Sequence, residues 1–166
     1  MRFKVEPMIP DDQKRVLKIV EQFWEDATIV IHDDLFHPHD LQGIKASANG
    51  EIVGILHYHI KDNVCKIITL ASLSQGIGVG SSLLDAVESL AASNYCDKLR
   101  VTTTNDNLHA LGFYQRRGFQ LVRLRPKQLE KSRLIKPNIP LVGDNKIPLR
   151  DELVLEKHIE TNQPTV

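Results

Sequence analysis

Only two of the 166 residues are cysteine, and Cys65 and Cys96 show neither metal-ligand spacing nor the density of a disulfide framework, so both read as reduced thiols. Charge of one sign is equally scarce as an excess: 21 Lys plus Arg stand against 21 Asp plus Glu, mixed along the chain. That balance supplies no overall field for nucleic acid, for an anionic membrane or for a strongly acidic partner. No apolar run approaches membrane-spanning length. Arg2 and Lys4 begin like a secretory leader, but Glu6, Pro7, Pro10, Asp11 and Asp12 stand where its apolar segment belongs, so a cytoplasmic location is expected. Internal repeats and a domain linker are missing too. At this length the chain reads as one domain over 1–158 with a polar tail at 159–166.

What is present is a changing period. Residues 2 to 6 alternate and read as a short strand, after which Pro10 and Asp11 announce a helix with an apolar face of Val16, Leu17, Val20, Phe23 and Trp24. Residues 32 to 42 are polar and His-rich, with Pro38 inside, and read as a loop or short irregular helix. Ile44 to Ala48 and Ile52 to Ile60 flank Asn49-Gly50, a dipeptide that accepts the positive φ angles of a type I′ turn, and Lys61-Asp62-Asn63 leads into a further strand, Val64 to Ser72. Then come a helix carrying Leu83, Leu84, Val87, Leu90 and Ala91, a strand at Leu99 to Thr103, a helix over 107–117 ended by Gly118, and a strand at Phe119 to Leu124. Residues 125 to 150 hold Pro126, Pro137, Pro140 and Pro148 and read as a long insertion without clear periodicity, before a closing strand that begins at Leu153.

Two short blocks carry the chemistry. In the first, Gln75, Gly76, Ile77, Gly78, Val79 and Gly80 follow the apolar run Ile67 to Leu73 and enter a helix through Ser81 and Ser82. Glycines at alternate positions let several N–H groups converge on a diphosphate without side chains in the way, and the helix dipole favours the negative charge. A Walker A loop needs Lys after its last Gly, where this chain has Ser81; a dinucleotide fingerprint beginning at Gly76 needs Gly at 81. The second block runs from Asn107 through Ala110, Phe113 and Tyr114 to Gly118 and Phe119. It offers a phenol with an ordinary pKa of ~10, a positioned proton donor at neutral pH. Phe113 and Phe119 read as core aromatics.

In register, these blocks resemble the signatures of the GNAT superfamily of N-acyltransferases, and the order of elements is similar to that family's from about residue 2 to about residue 158. The resemblance implies an α+β fold with a mostly antiparallel, twisted sheet of six to seven strands splayed at the centre and flanked by about four helices. It implies that acetyl-CoA is the cosubstrate, its pyrophosphate cradled by residues 75 to 82. Its pantetheine arm lies along Leu70, Ser72 and Leu73 and bonds Asn107, with Ala110 leaving room against the helix. The Leu70 N–H would hold the oxyanion and Tyr114 would protonate the thiolate. The acceptor is then an amine on a small molecule or peptide, and a homodimer is compatible with the family.

The general base is unassigned by this reading. Many family members place an acid on the strand before the glycine loop, where this chain has Lys66, Ile67, Ile68 and Thr69. His57, His59, Asp106, Glu152, Arg150 and water are the candidates, each with a structural alternative. The segment from His32 to Asp40 invites a metal reading, yet its spacing matches no helical His pair and Pro38 interrupts it, so no metal is expected. Neither cysteine has a recognisable His partner, which argues against a covalent acyl-enzyme. Two rival functions stay open: an acyl-CoA binder without turnover, acting as a sensor or assembly module, and a nucleotide- or phosphate-binding module using the same loop.

Overall fold

The computed structural model describes residues 2–160. In chain order its elements are β1 (Lys4–Pro7), α1 (Gln13–Trp24), β2 (Ile29–Ile31), β3 (Asp34–Phe36), β4 (Gln42–Ala48), β5 (Glu51–Lys61), β6 (Val64–Ser72), α2 (Val79–Ser93), β7 (Lys98–Thr104), α3 (Leu108–Arg116), β8 (Gln120–Arg125), α4 (Gln128–Ile135) and β9 (Glu152–His158). They fall into two compact units: the first runs to Ile29, from His37 to Leu99 and again from Ile159, and the second holds Val30–Phe36 and Arg100–His158. Strands in the order β1-β4-β5-β6 belong to the first and β7-β9-β8 to the second, so seven sheet strands, mostly antiparallel, and four helices make up the expected α+β fold.

In the first unit the meander β4-β5-β6 forms where the sequence places it. Asn49 and Gly50 sit at φ 53° and 79°, and Asp62 and Asn63 at 53° and 61°, so both connections are two-residue turns with positive φ. On one face of the meander, Val16, Ile19 and Val20 of α1 pack with Ile55 and Ala71. Each Val or Ile among them contributes roughly 1.5–3 kcal/mol on burial. The apolar stripe of α1 is narrower than its sequence suggests: Leu17 is 40 % and Phe23 45 % exposed, while Ile19 turns inward. Helix α2 covers the opposite face. A Cβ on Gly54, the neighbour of Ile55, would collide with Val79 Cγ1, so the glycine is what admits the start of α2 to the strand.

Buried charge ties α1 to β4. Lys45 Nζ lies 2.7 Å from both carboxylate oxygens of Asp12, which also accept from the Ile9 N–H at 2.9 Å and Arg15 at 3.0 Å. Burial alone would raise the Asp12 carboxyl, but Ile9, Lys45 and Arg15 together hold it below its ordinary value.

The second unit contains two elements that the sequence reading lacks. Part of the stretch read as a loop or short irregular helix over 32–42 is the β2–β3 hairpin, turned at His32 with φ 56°; the short 3-10 turn at Pro38–Asp40, in the first unit, matches the helical alternative of that reading. The insertion at 125–150 holds α4, whose buried residues are Gln128, Leu129 and Ser132. With a single apolar residue among those three, α4 has almost no hydrophobic period to read; it is held by Ser132 Oγ on the Gln128 carbonyl and Gln128 Nε2 on the His32 carbonyl. The tail expected at 159–166 lies outside the described residues from 161 onward. Ile159 is not part of a loose tail: it is 4 % exposed and its N–H donates to the Asp97 carbonyl at 2.9 Å.

Among the described residues no helix is long and apolar enough to cross a membrane.

Candidate active site

Within the first unit, one continuous path of strand, loop and helix carries Leu70 to Ser82. The Leu73 N–H donates to the Val53 carbonyl at 2.8 Å, which makes Val53 and Leu73 a hydrogen-bonded pair of the β5–β6 ladder. Alternation then directs the main-chain groups of Ser72 and Leu70 away from β5. The Leu73 N–H is therefore taken by β5, whereas those of Leu70 and Ser72 point away from that strand. A bulge lies just before them: His57 pairs with Thr69 but Tyr58 with Ile67, so Ile68 is the extra residue.

The glycine loop owes its shape to backbone angles rather than crowding. Gly76 and Gly78 have φ of 77° and 82°, and a Cβ on either would meet nothing within 4 Å. Helix α2 begins at Val79, two residues earlier than the sequence reading, so Gly78 is its N-cap without a side-chain bond. The opening amides of α2 and the loop N–H groups thus gather at a positive helix end, an arrangement suited to a phosphate. Gln75, Gly76 and Gly78 are exposed and Ile77 is half-buried. Gly78→Ala should lower stability by about 1 kcal/mol, since an L side chain disfavours this conformation, and a melting curve reads that directly.

In the second unit, α3 carries the other block. Asn107 caps it, its Oδ1 accepting from the Ala110 N–H at 3.1 Å. Tyr114 is 7 % exposed, with ring centroids 5.4 Å from Phe113 and 5.3 Å from Phe119, both edge-on. Burial pushes its phenol pKa up, so it holds its proton at neutral pH.

The candidate bases separate sharply. Asp106 Oδ1 accepts from Thr104 Oγ1 at 2.5 Å and Oδ2 from the Asp144 N–H at 2.8 Å, so this carboxylate ties a loop. Glu152 accepts from the His32 N–H at 3.0 Å and from Arg125 at 3.0 Å, anchoring the β2–β3 hairpin. Arg150 pairs with the neighbouring Asp151 at 2.8 Å. His59 is exposed. His57 is enclosed, 2 % exposed, with Nδ1 2.7 Å from Thr69 Oγ1, and burial pushes its pKa down to about 4. It lines a first-unit cavity of about 420 Å3 that the sequence reading did not anticipate, because its walls come from segments far apart in the chain.

Both cysteines are free and buried; burial pushes the Cys65 thiol up to about 12 and raises that of Cys96. Neither is poised as a nucleophile. Among the described residues no three His, Cys, Asp or Glu side chains are grouped to hold a metal ion.

Known proteins resemble this chain in sequence and in fold. A profile of the Acetyltransferase (GNAT) family matches residues 9–119. The Bacillus subtilis (strain 168) protein YxbD is 38 % identical over 141 residues, 84 % of this chain and 89 % of its own length. Among solved structures, an IAA acetyltransferase from Bacillus cereus ATCC 14579 superposes with a TM-score of 0.69 at 20 % identity, covering 95 % of this chain and 100 % of that one. A GNAT family acetyltransferase from Elizabethkingia anophelis with acetyl-CoA bound gives 0.65 at 22 % identity, covering 95 % and 98 %.

Proposed function

The chain belongs to the GNAT acetyltransferase family, and from that membership we propose that it moves the acetyl group of acetyl-CoA onto an amine by direct attack in a ternary complex. The observation that carries this reading is the exposed glycine loop, with Gly76 and Gly78 in left-handed backbone at the head of α2. The acetyl-CoA bound to the Elizabethkingia relative supports the choice of cosubstrate. Residues 1–158 then act as a single domain.

In this proposal residues 75 to 82 bind the pyrophosphate through main-chain N–H groups. Ser72 bonds the pantetheine arm. Asn107, whose Oδ1 is used by its own helix, meets the arm through its NH2 group, and Ala110 leaves room beside it. The amine nitrogen attacks the thioester carbon after its extra proton has passed to water, because Asp106 and Glu152 are occupied with loop contacts. The carbonyl π electrons move onto oxygen, which the Leu70 N–H stabilises. The intermediate collapses and the C–S bond breaks as Tyr114 gives its phenolic proton to sulfur; the attacking nitrogen, now positively charged, loses its own proton to water, and the phenolate is reprotonated from solvent.

Thiol release from acetyl-CoA across an amine panel tests this. Acceptor-dependent release is expected, and Leu70→Ala should keep it within about threefold, since a main-chain donor survives side-chain truncation. Tight acetyl-CoA binding with no release on any amine would turn the reading to a non-catalytic acyl-CoA sensor. Equal affinity for adenosine diphosphate and coenzyme A would favour a nucleotide module.

A further inference from the structure

The first-unit cavity is walled mainly by apolar side chains, including Met8, Val16, Val20, Leu41 and Ile44. His57 is the telling polar member, because its protonation pattern follows from counting hydrogen-bond groups. Thr69 is 1 % exposed, and its Oγ1 accepts the main-chain N–H of His57 at 2.9 Å. The same oxygen lies 2.7 Å from His57 Nδ1. A hydroxyl has one hydrogen and two lone pairs. If Nδ1 carried the ring hydrogen, both lone pairs would be used and the hydroxyl hydrogen would be stranded in the interior. With the ring hydrogen on Nε2, the hydroxyl donates to Nδ1, and both the Thr69 hydroxyl and Nδ1 are satisfied. Nε2 has no protein partner among the described residues, yet it is not sealed off, so its N–H opens to the cavity.

The charges at this cavity are already balanced. Asp12 is neutralised by Lys45 and Arg15, and the Tyr58 hydroxyl donates to Gln42 Oε1 at 3.0 Å. No unpaired anion is offered to an ammonium side chain, and no cation to a carboxylate; a neutral imidazole N–H suits a neutral carbonyl.

We propose that the cavity holds the non-reacting part of the acyl acceptor, an apolar side chain bearing a neutral carbonyl whose oxygen accepts from His57 Nε2–H. This rests on the acetyltransferase reading for the word acceptor. The placement agrees with it: Thr69, the partner of His57, immediately precedes Leu70 on β6. His57 is thereby a binding donor and not the base.

Leucinamide is the probe, with leucine testing the neutral carbonyl and lysinamide the apolar body. Titration calorimetry on the full chain should show leucinamide binding at least about tenfold more tightly than either, and His57→Phe should weaken it by about tenfold with coenzyme A affinity unchanged. Ring 15N shifts of wild-type His57 should report a protonated Nε2 and a bare Nδ1, a readout independent of how the variant folds. A protonated Nδ1, no leucinamide binding, or equal binding of all three probes overturns the assignment. Thiol release with other amines but no leucinamide binding sinks the cavity assignment and leaves the enzyme standing. Leucinamide binding with no thiol release on any amine does the reverse.

Discussion

Tyr114→Phe is expected to slow acceptor-dependent thiol release by about 10²–10⁴-fold, the usual worth of a positioned general acid. Coenzyme A affinity should change by less than about twofold, because the ring stays while only the hydroxyl goes. Retained packing is what makes the substitution clean. Phe113 and Phe119 touch the ring edge-on, and a phenylalanine ring fills the same space. The enclosure that pushes the phenol pKa up also fixes the pH behaviour. A raised pKa keeps the donor protonated, so wild-type kcat should show no alkaline fall from Tyr114 ionisation through pH 9. Single-turnover rates of both forms, measured across pH, check this. Unchanged rates in the variant would assign Tyr114 to the aromatic cluster alone.

Asp12→Ala should lower stability by about 3 kcal/mol, since it strands Lys45 in the interior. Glu6, 3.8 Å from Lys45 Nζ, keeps the loss at the low end of that range. For a chain of this size the melting temperature should drop by roughly 6–12 °C. The sign of the pH dependence follows from the depressed carboxyl. A folded pKa below the ordinary 3.8 means that the Asp12 contribution is fully present above that value and is lost as pH falls through the folded one. Wild-type and Asp12→Ala stabilities should therefore converge in strong acid, which urea titrations at several pH values measure. Replacing both partners, Asp12→Leu with Lys45→Met, should recover part of the loss, because it is the unpaired charge that is costly.

Legibility in the sequence tracked the locality of each signal. The Asn49-Gly50 turn was readable because its residues choose their own backbone angles, and it appears with the positive φ expected of it; the tight connection at Lys61-Asp62-Asn63 appears too, with positive φ at Asp62 and Asn63. The alternating meander and the apolar face of α2 were readable for the same reason. Helix α4 was not: Gln128 and Ser132 are buried through hydrogen bonds to a distant hairpin and to the helix itself, and a polar burial leaves no period. The β2–β3 hairpin was missed likewise, its turn at His32 being held by Glu152, 120 residues away in the chain.

The candidate site divides along the same line. The glycine loop, Asn107 and Tyr114 announce themselves through spacing, because a phosphate cradle and a capped helix are local objects. The carboxylates do not: Asp106 and Glu152 looked equally available as bases until their oxygens were seen to be engaged by Thr104, Asp144, His32 and Arg125. By itself the sequence determined the α+β element order apart from the β2–β3 hairpin and α4, the family, and the place of the glycine loop, since each depends on residues close together in the chain. Only the tertiary structure decided that His57 is enclosed, that its Nδ1 meets the Thr69 hydroxyl, and that an apolar cavity stands beside it. Those properties belong to groups that meet only after the chain has folded, where burial and the count of donors and acceptors decide what each atom can do.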